Sequence, residues 1–284
     1  MNKNKVKNGI FTAIRYIIIS IICFLWAFPI IWLVGTSFNA GSMYNQPGFF
    51  PTHWTFENYK NLFTDTSYWM YPKWFWNTFL IASISAVGST FMKILSAYVM
   101  SRYSFKGKKG IMKFVLVNGM FPGFMTMIAI YVILMLFNLT GHTATLALIY
   151  VAGAGLGFFI EKGYFDNISH EIEEAAIIDG ASNFRISWNI MLPLSKPIII
   201  YTALMSFSGP WSDYIFAKMI IGGHRENWTV AIGLMEMVNG TTGDTTLEFA
   251  RFAAGSVFIA VPITILFISL QRYLTVTTSG AVKG

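Results

Sequence analysis

Glu174-Ala-Ala-Ile-Ile-Asp-Gly180-Ala-Ser-Asn-Phe-Arg-Ile-Ser-Trp-Asn-Ile190-Met-Leu-Pro193 is a polar, amphipathic stretch between two strongly apolar ones. Ser169, just ahead of it, is placed to cap a helix, because its hydroxyl accepts a bond from a free N–H of the first turn. Glu171, Glu173 and Glu174 follow at the positive end of the helix dipole. Ala175 and Ala176 favour helix and let a neighbouring surface come close. Gly180 takes the positive φ that ends one helix and turns into another. Phe184, Trp188 and Met191 recur at i, i+4 and i+7, which predicts one apolar face on a second short helix. Pro193 and Pro197 remove backbone donors and set the entry into the next apolar run. The stretch reads as a helix–turn–helix lying at a membrane surface. Charge and periodicity alone favour a hairpin that merely connects two spans.

The composition requires a membrane. Of 284 residues, 55% are hydrophobic, 17% aromatic and only 12% charged, whereas a soluble domain carries about 25% charged residues. The net charge of +7 sits in loops, where orientation in the bilayer explains it better than nucleic acid does. One cysteine, Cys23, allows no intrachain disulfide and no cysteine-based metal cluster. His53, His142, His170 and His224 lack ligand spacing and read as loop residues. No phosphate-binding Gly-x-x-x-x-Gly-Lys-Ser/Thr loop occurs, so if ATP drives this protein, another chain binds and hydrolyses it with Mg.

Six apolar runs predict six transmembrane helices, near 14–38, 74–100, 114–137, 144–160, 197–220 and 252–270, since a span needs about 20 residues. The first, behind Lys3, Lys5 and Lys7, is too long for the core of a signal peptide and is read as a span. In the loop 39–73, Phe56 to Phe63 predicts an interfacial helix dipping Tyr59, Leu62 and Phe63 into lipid. Trp69, Trp74 and Trp76 are expected to form an aromatic belt. Gly88 suits close helix packing, as do Gly153, Gly155 and Gly157. Pro122-Gly123 is expected to kink the third span. Lys93 either snorkels to the interface or lines a transport path. Trp211 and Asp213 fall in the outer half of the fifth span. There Asp213 is either a functional group at membrane depth or a local cap. With both termini inside, fourteen of the twenty Lys and Arg residues fall on the cytoplasmic side and five outside, Lys93 being the remaining one. That bias puts 174–193 and the C-terminus in the cytoplasm.

The spacing Glu-Ala-Ala, three residues, Gly, nine residues, Ile, one residue, Leu-Pro resembles the cytoplasmic loop of membrane subunits of bacterial ABC importers. Glu174, Ala175, Ala176, Gly180, Ile190, Leu192 and Pro193 all match. Lys162-Gly-Tyr-Phe-Asp166, Leu192-Pro-Leu-Ser-Lys-Pro197 and Pro210-Trp-Ser-Asp-Tyr-Ile-Phe216 look like the carbohydrate-uptake branch. The tail Gly280-Ala-Val-Lys283-Gly284 is similar to the MalG-type subunit of maltose and maltodextrin importers. Ser169 departs from a proline common there, but both residues can begin a helix.

The resemblance implies an all-α integral membrane protein of the bacterial cytoplasmic membrane, with both termini cytoplasmic and a cytoplasmic coupling helix pair. It implies an N-terminal anchor and outer loop (1–73), a transport core (74–271) with a coupling loop at 164–195 and an outer loop at 221–249, and a tail (272–284). The chain would be the non-catalytic half of a pore for an oligosaccharide, maltodextrin-like or another. Its partners would be a second, MalF-like permease subunit, an ATPase dimer, an extracellular solute-binding protein and lipid. The matched motif residues would dock in the ATPase, Glu174 pairing with a basic residue there. Gly280, Lys283 and Gly284 would reach the ATPase interface, and Trp228 to Leu234 would enter the binding protein's sugar site. Trp211 and Asp213 are the candidates for the substrate path. An ion-coupled secondary transporter is the competing class, but it usually carries acidic or histidine residues at mid-membrane, and the spans are nearly free of them. A membrane enzyme would need converging catalytic groups, which the sequence lacks.

Overall fold

The computed structural model describes residues 3–40, 49–65, 69–154, 156–239 and 245–279. The described residues are helical apart from turns and one isolated bridge between Asn39 and Trp54. Backbone contacts divide the chain into one unit of residues 1–69 with 234–261 and another of 70–233 with 262–284.

In the first unit, helix α1 (Lys3–Ser37) exposes every residue from Phe11 to Trp26. An apolar helix of this length with no protein on its surface is matched to lipid. Its C-terminal carbonyls would otherwise lack partners, and helix α2 (Glu57–Thr64) supplies some. Asn58 Nδ2 donates to the carbonyls of Ser37 and Asn39 at 3.1 and 2.8 Å. The hydroxyls of Tyr59 and Ser37 lie 2.7 Å apart. The residues expected to dip into lipid therefore turn back onto the protein. Leu62 is buried, Tyr59 packs on Phe38, and Phe63 lies edge-on to Phe258. Arg251 pairs with Asp65 at 3.0 Å in the same unit.

The second unit is built on helix α3 (Tyr71–Arg102). It packs against helices α6 (Thr143–Ala154), α7 (Phe159–Asp166) and α11 (Lys196–Ser212). Gly88 does bring helices close. A Cβ there would lie 2.7 Å from Val151 Cγ2 on α6. Gly153 does not pack in this way, because nothing lies within 4 Å of the position its Cβ would take; Gly155 lies outside the described residues.

Trp74 is a core residue rather than part of an aromatic belt. It is fully buried, packs on Trp228, and its Nε1–H donates to the Arg225 carbonyl at 2.8 Å. Trp69 is buried too, and only Trp76 is exposed as a belt residue would be. Asn77 Nδ2 donates to the carbonyls of Glu226 and Trp228, and the Val230 N–H donates to Thr78 Oγ1 at 2.8 Å. The segment expected to enter a partner's sugar site is thus held inward: Trp228, Thr229, Val230, Ile232 and Leu234 are all buried.

Several expected spans are broken. Pro122 does more than kink the third run. Helices α4 (Lys108–Gly119) and α5 (Gly123–Leu136) meet at 102°. The fourth run breaks between α6 and α7. In the fifth, α11 stops at Ser212 and α12 (Ile215–Ile221) restarts after Asp213 and Tyr214. Helices α13 (Val230–Val238) and α14 (Thr245–Ser279) complete the chain outside the hairpin described below. Among the described residues three helices are long and apolar enough to cross a membrane, or up to five if each bent pair is one span.

A Cβ on Gly233 would lie 2.0 Å from Trp74 Cε3. Gly233→Ala is expected to destabilise the fold by about 1–3 kcal/mol through overpacking, read as a lower unfolding temperature in detergent. Gly163→Ala, where a Cβ meets nothing within 4 Å, is expected to leave that temperature unchanged or raise it.

Candidate functional site

The hairpin begins where the sequence places it. Helix α8 (Glu171–Ile178) has three glutamates in its first turn. The Glu171 N–H donates to Ser169 Oγ at 3.3 Å, so Ser169 does help to start it, although His170 occupies the residue before the helix. Gly180 has φ = +78°. The Ala181 N–H reaches back to the Ala176 carbonyl at 2.9 Å and the Gly180 N–H to the Ile177 carbonyl at 3.0 Å. Two such bonds around a left-handed residue make the helix stop that glycine favours. Ser182 then caps α9 (Asn183–Ile186), its Oγ accepting from the Arg185 N–H.

A π-helical turn (Ser187–Met191) and α10 (Leu192–Leu194) lead into α11. The wider turn shifts the phase of the side chains. Phe184 and Trp188 stack at 6.1 Å and stay exposed, while Met191 turns inward and is buried. The expected single apolar face is therefore split in two. Met191, Ile186 and Ala176 join Ile94, Ala97, Phe158, Phe165 and Ile198 in one buried cluster, against which Ile190 and Leu192 pack. The other face is open: Ile178 is 85% exposed, Phe184 75% and Trp188 60%. Glu174, Ala175 and Pro193 are exposed beside them. Glu174 makes no side-chain bond among the described residues, so its carboxylate is available to a partner.

Three residues in the last turns of α3 hold this hairpin. The Arg102 side chain is only 2% exposed, and its Nε lies 3.2 Å from Glu173 Oε1. Its Nη2 donates to the carbonyls of Phe165 and Ile168 at 2.9 and 2.8 Å, and Nη1 lies 3.0 Å from His170 Nδ1. Ser101 Oγ donates to Asp166 Oδ1 at 2.6 Å, and Lys162 Nζ donates to Asp166 Oδ2 at 2.6 Å. Ser187 Oγ donates to the Tyr98 hydroxyl at 2.9 Å. Charge counting places Arg102 in a cytoplasmic cluster but gives no sign of these partners.

Burial alone would raise the Asp166 pKa, but the bonds from Lys162 and Ser101 outweigh it and hold the carboxyl below its ordinary 3.8. A lowered carboxylate pKa stabilises the fold fully above the ordinary value, and that contribution fades as pH falls through the lowered one. The clasp is therefore charged at neutral pH.

Asp213 adopts the local arrangement. Its Oδ1 accepts from the Phe216 N–H at 3.1 Å at the start of α12, and its Oδ2 accepts from the Tyr150 hydroxyl at 2.6 Å. Trp211 is buried edge-on to Phe75 at 5.2 Å. Gly280, Lys283 and Gly284 lie outside the described residues. Among the described residues no group of three His, Cys, Asp or Glu could hold a metal.

Arg102→Ala removes one partner of a buried ion pair, a loss of about 3–5 kcal/mol. Amide exchange of residues 165–191 is expected to accelerate, while exchange around Trp74 and Trp228 stays slow. Arg102→Lys is expected to rescue little, because one ammonium cannot reach four acceptors as a planar guanidinium does.

The sequence matches the family model of the inner membrane component of binding-protein-dependent transport systems over residues 94–276. It is 33% identical to the galactooligosaccharides transport system permease protein GanQ of Bacillus subtilis, over 99% of this chain and 98% of that protein. It is equally 33% identical to the maltodextrin transport system permease protein MalD of Streptococcus pneumoniae, over 100% and 99%. The fold is similar to a chain in the crystal structure of a bacterial ABC transporter involved in import of the acidic polysaccharide alginate. The TM-score is 0.76 at 20% identity, covering 94% of this chain and 97% of that one. The chain therefore belongs to the inner membrane components of binding-protein-dependent transport systems, as a multi-pass, non-catalytic permease subunit of a bacterial ABC importer.

Proposed function

We propose that this chain forms half of the translocation pore of an oligosaccharide importer and takes its power stroke through the hairpin 170–193. The observation that carries this reading is the pairing of a rigid base with an open apolar face. Arg102 and Tyr98 bind the hairpin to α3 and Ser101 bonds Asp166 just ahead of it, while Ile178, Phe184 and Trp188 stand exposed. Exposed aromatic and aliphatic anchors of this kind mark a docking surface. Its partner is an ATPase dimer that binds ATP and Mg, and Glu174 meets a basic residue there. The tail residues Gly280, Lys283 and Gly284 reach the same ATPase. A second, MalF-like permease subunit completes the pore, and an extracellular solute-binding protein delivers the sugar.

In this reading the six apolar runs are six spans, with bent pairs and broken runs each counted as one, and both termini are cytoplasmic. Residues 1–73 anchor the chain, 74–271 form the transport core with its loops at 164–195 and 221–249, and 272–284 are the tail. Full-length likeness to maltodextrin and galactooligosaccharide permeases supports a neutral oligosaccharide, maltodextrin first. Trp211 supports the wall of the path, and Asp213 holds the break between α11 and α12 in shape.

The test is ATP hydrolysis by the assembled importer in proteoliposomes, with binding protein and maltodextrin outside. Wild type is expected to be stimulated. Trp188→Ala is expected to weaken ATPase docking by about 2 kcal/mol or more, as loss of an interface anchor does, with the permease pair still assembled. Gly180→Pro is expected to abolish stimulation. A wild-type complex that never recruits an ATPase would overturn the reading.

A further inference from the structure

Helix α7 leads into the hairpin and α11 leads out of it, so the two meet at its neck. Two side-chain bonds close that neck. The Tyr164 hydroxyl donates to the Leu194 carbonyl at 3.2 Å near the surface. Deeper in, Thr202 Oγ1 donates to Glu161 Oε1 at 2.7 Å. Lys162 and Asp166 of the same helix α7 answer each other across one turn, but Glu161 turns inward. It is only 3% exposed, and Thr202 is 1% exposed.

Packing alone gives no reason to bury this pair. Phe158 and Phe165 lie one turn to either side of Glu161 on α7, and Ile198 lies one turn before Thr202 on α11. All three belong to the buried apolar cluster. Glu161 Oε2 is buried without a partner. Among the described residues no Lys, Arg or His lies within ion-pair distance of this carboxyl. Hydroxyls in the long helices bond the carbonyl one turn back, as those of Thr78, Ser83 and Ser208 do. Thr202 gives its proton across to α7 instead. A buried polar atom without a partner costs stability, whereas an apolar pair of the same shape is close to neutral or stabilising. Leucine and valine would hold α7 and α11 together by contact. They would not fix the register, because apolar surfaces slide over each other, while a bond of 2.7 Å is lost on a shift of about 1 Å.

We propose that Glu161 and Thr202 are a positioning pair for the power stroke. Their bond locks α7 to α11 at the neck, so that a push on the hairpin moves both of its legs as one body. Arg102 carries the hairpin's movement to α3; the bond between Glu161 and Thr202 carries it to α11. Without that bond the two legs slip past each other, and closure of the ATPase is dissipated at the neck instead of reaching the pore. The assignment rests on the importer reading above and adds two residues to it.

The experiment uses the complete importer in proteoliposomes, with saturating binding protein and maltodextrin outside. It reads the sugar taken up per ATP hydrolysed, together with the unfolding temperature. In the double variant Glu161→Leu with Thr202→Val, the unfolding temperature is expected to hold or rise. Its uptake per ATP is expected to fall about tenfold, the equivalent of one lost hydrogen bond to a carboxyl. Thr202→Val alone is expected to lower the ratio in the same way. Glu161→Gln, which keeps an acceptor for Thr202 Oγ1, and Thr202→Ser, which keeps the donor, are expected to retain the wild-type ratio. A wild-type ratio in the double variant overturns the pair. So does a ratio that falls only in step with the unfolding temperature, which marks the bond as structural. A loss in Glu161→Gln as large as in the double variant also overturns it, since the hydrogen bond is then not what couples the helices. If wild type itself recruits no ATPase and takes up no maltodextrin, the importer reading fails; a coupled wild type beside an equally coupled double variant refutes this pair alone.

Discussion

One buried cation organises the hairpin end of the second unit. Arg102 ends the longest helix of the second unit, is hydrogen-bonded to two backbone carbonyls and a histidine nitrogen, and forms an ion pair with Glu173. The Phe165 carbonyl lies in the last turn of α7 and the Ile168 carbonyl two residues beyond the helix, close to where a helix leaves acceptors without intrahelical donors. The guanidinium meets that need and fixes the start of α8 through Glu173 in the same act. A buried charge is tolerable only when it is paired; here both Nη atoms are hydrogen-bonded, while Nε faces Glu173 Oε1 at 3.2 Å as an ion pair without a hydrogen bond. The cluster of Ile94, Ala97, Phe165, Ala176, Ile186 and Met191 packs around this polar knot, so the hairpin has a fixed orientation on α3.

The same hairpin shows how two apolar faces can be divided between core and surface. A continuous α-helix through 184–191 would place Phe184, Trp188 and Met191 on one side, to be buried or exposed together. The π turn separates them, giving the core one apolar residue and leaving two exposed. Gly180 and Ser182 set the two short helices at a defined angle without side-chain bulk at the turn.

What was legible in the sequence follows the range of the interactions concerned. The helix stop at Gly180, the helix start aided by Ser169, the glutamates of α8 and the close approach at Gly88 depend on neighbours or on residue size, and they stand as read; the cap at Ser182 was not read from the sequence. The role of Arg102 was hidden because its partners lie more than sixty residues away, while its charge already had an explanation in membrane orientation. Trp74 was hidden for a similar reason. A tryptophan just ahead of an apolar run looks the same whether it meets lipid headgroups or the Arg225 carbonyl. Apolar runs reveal where helices can cross but not where they break. The 102° bend at Met120 to Pro122 and the restart after Asp213 come from caps and packing that hydropathy does not record.

Helix α3 has a mechanical consequence. Its 32 residues make a continuous rod of about 48 Å, with no proline between Trp74 and Arg102. At one end Trp74, Asn77 and Thr78 are bonded to residues 225–230; at the other Tyr98, Ser101 and Arg102 are bonded to the hairpin and its base. A stiff rod clamped at both ends has little slack to absorb a displacement. Tilting the end at Arg102 must swing the end at Trp74 in the opposite sense about whatever contact serves as pivot. The close seat at Gly88 against Val151, near the middle of the rod, is where such a fulcrum would lie.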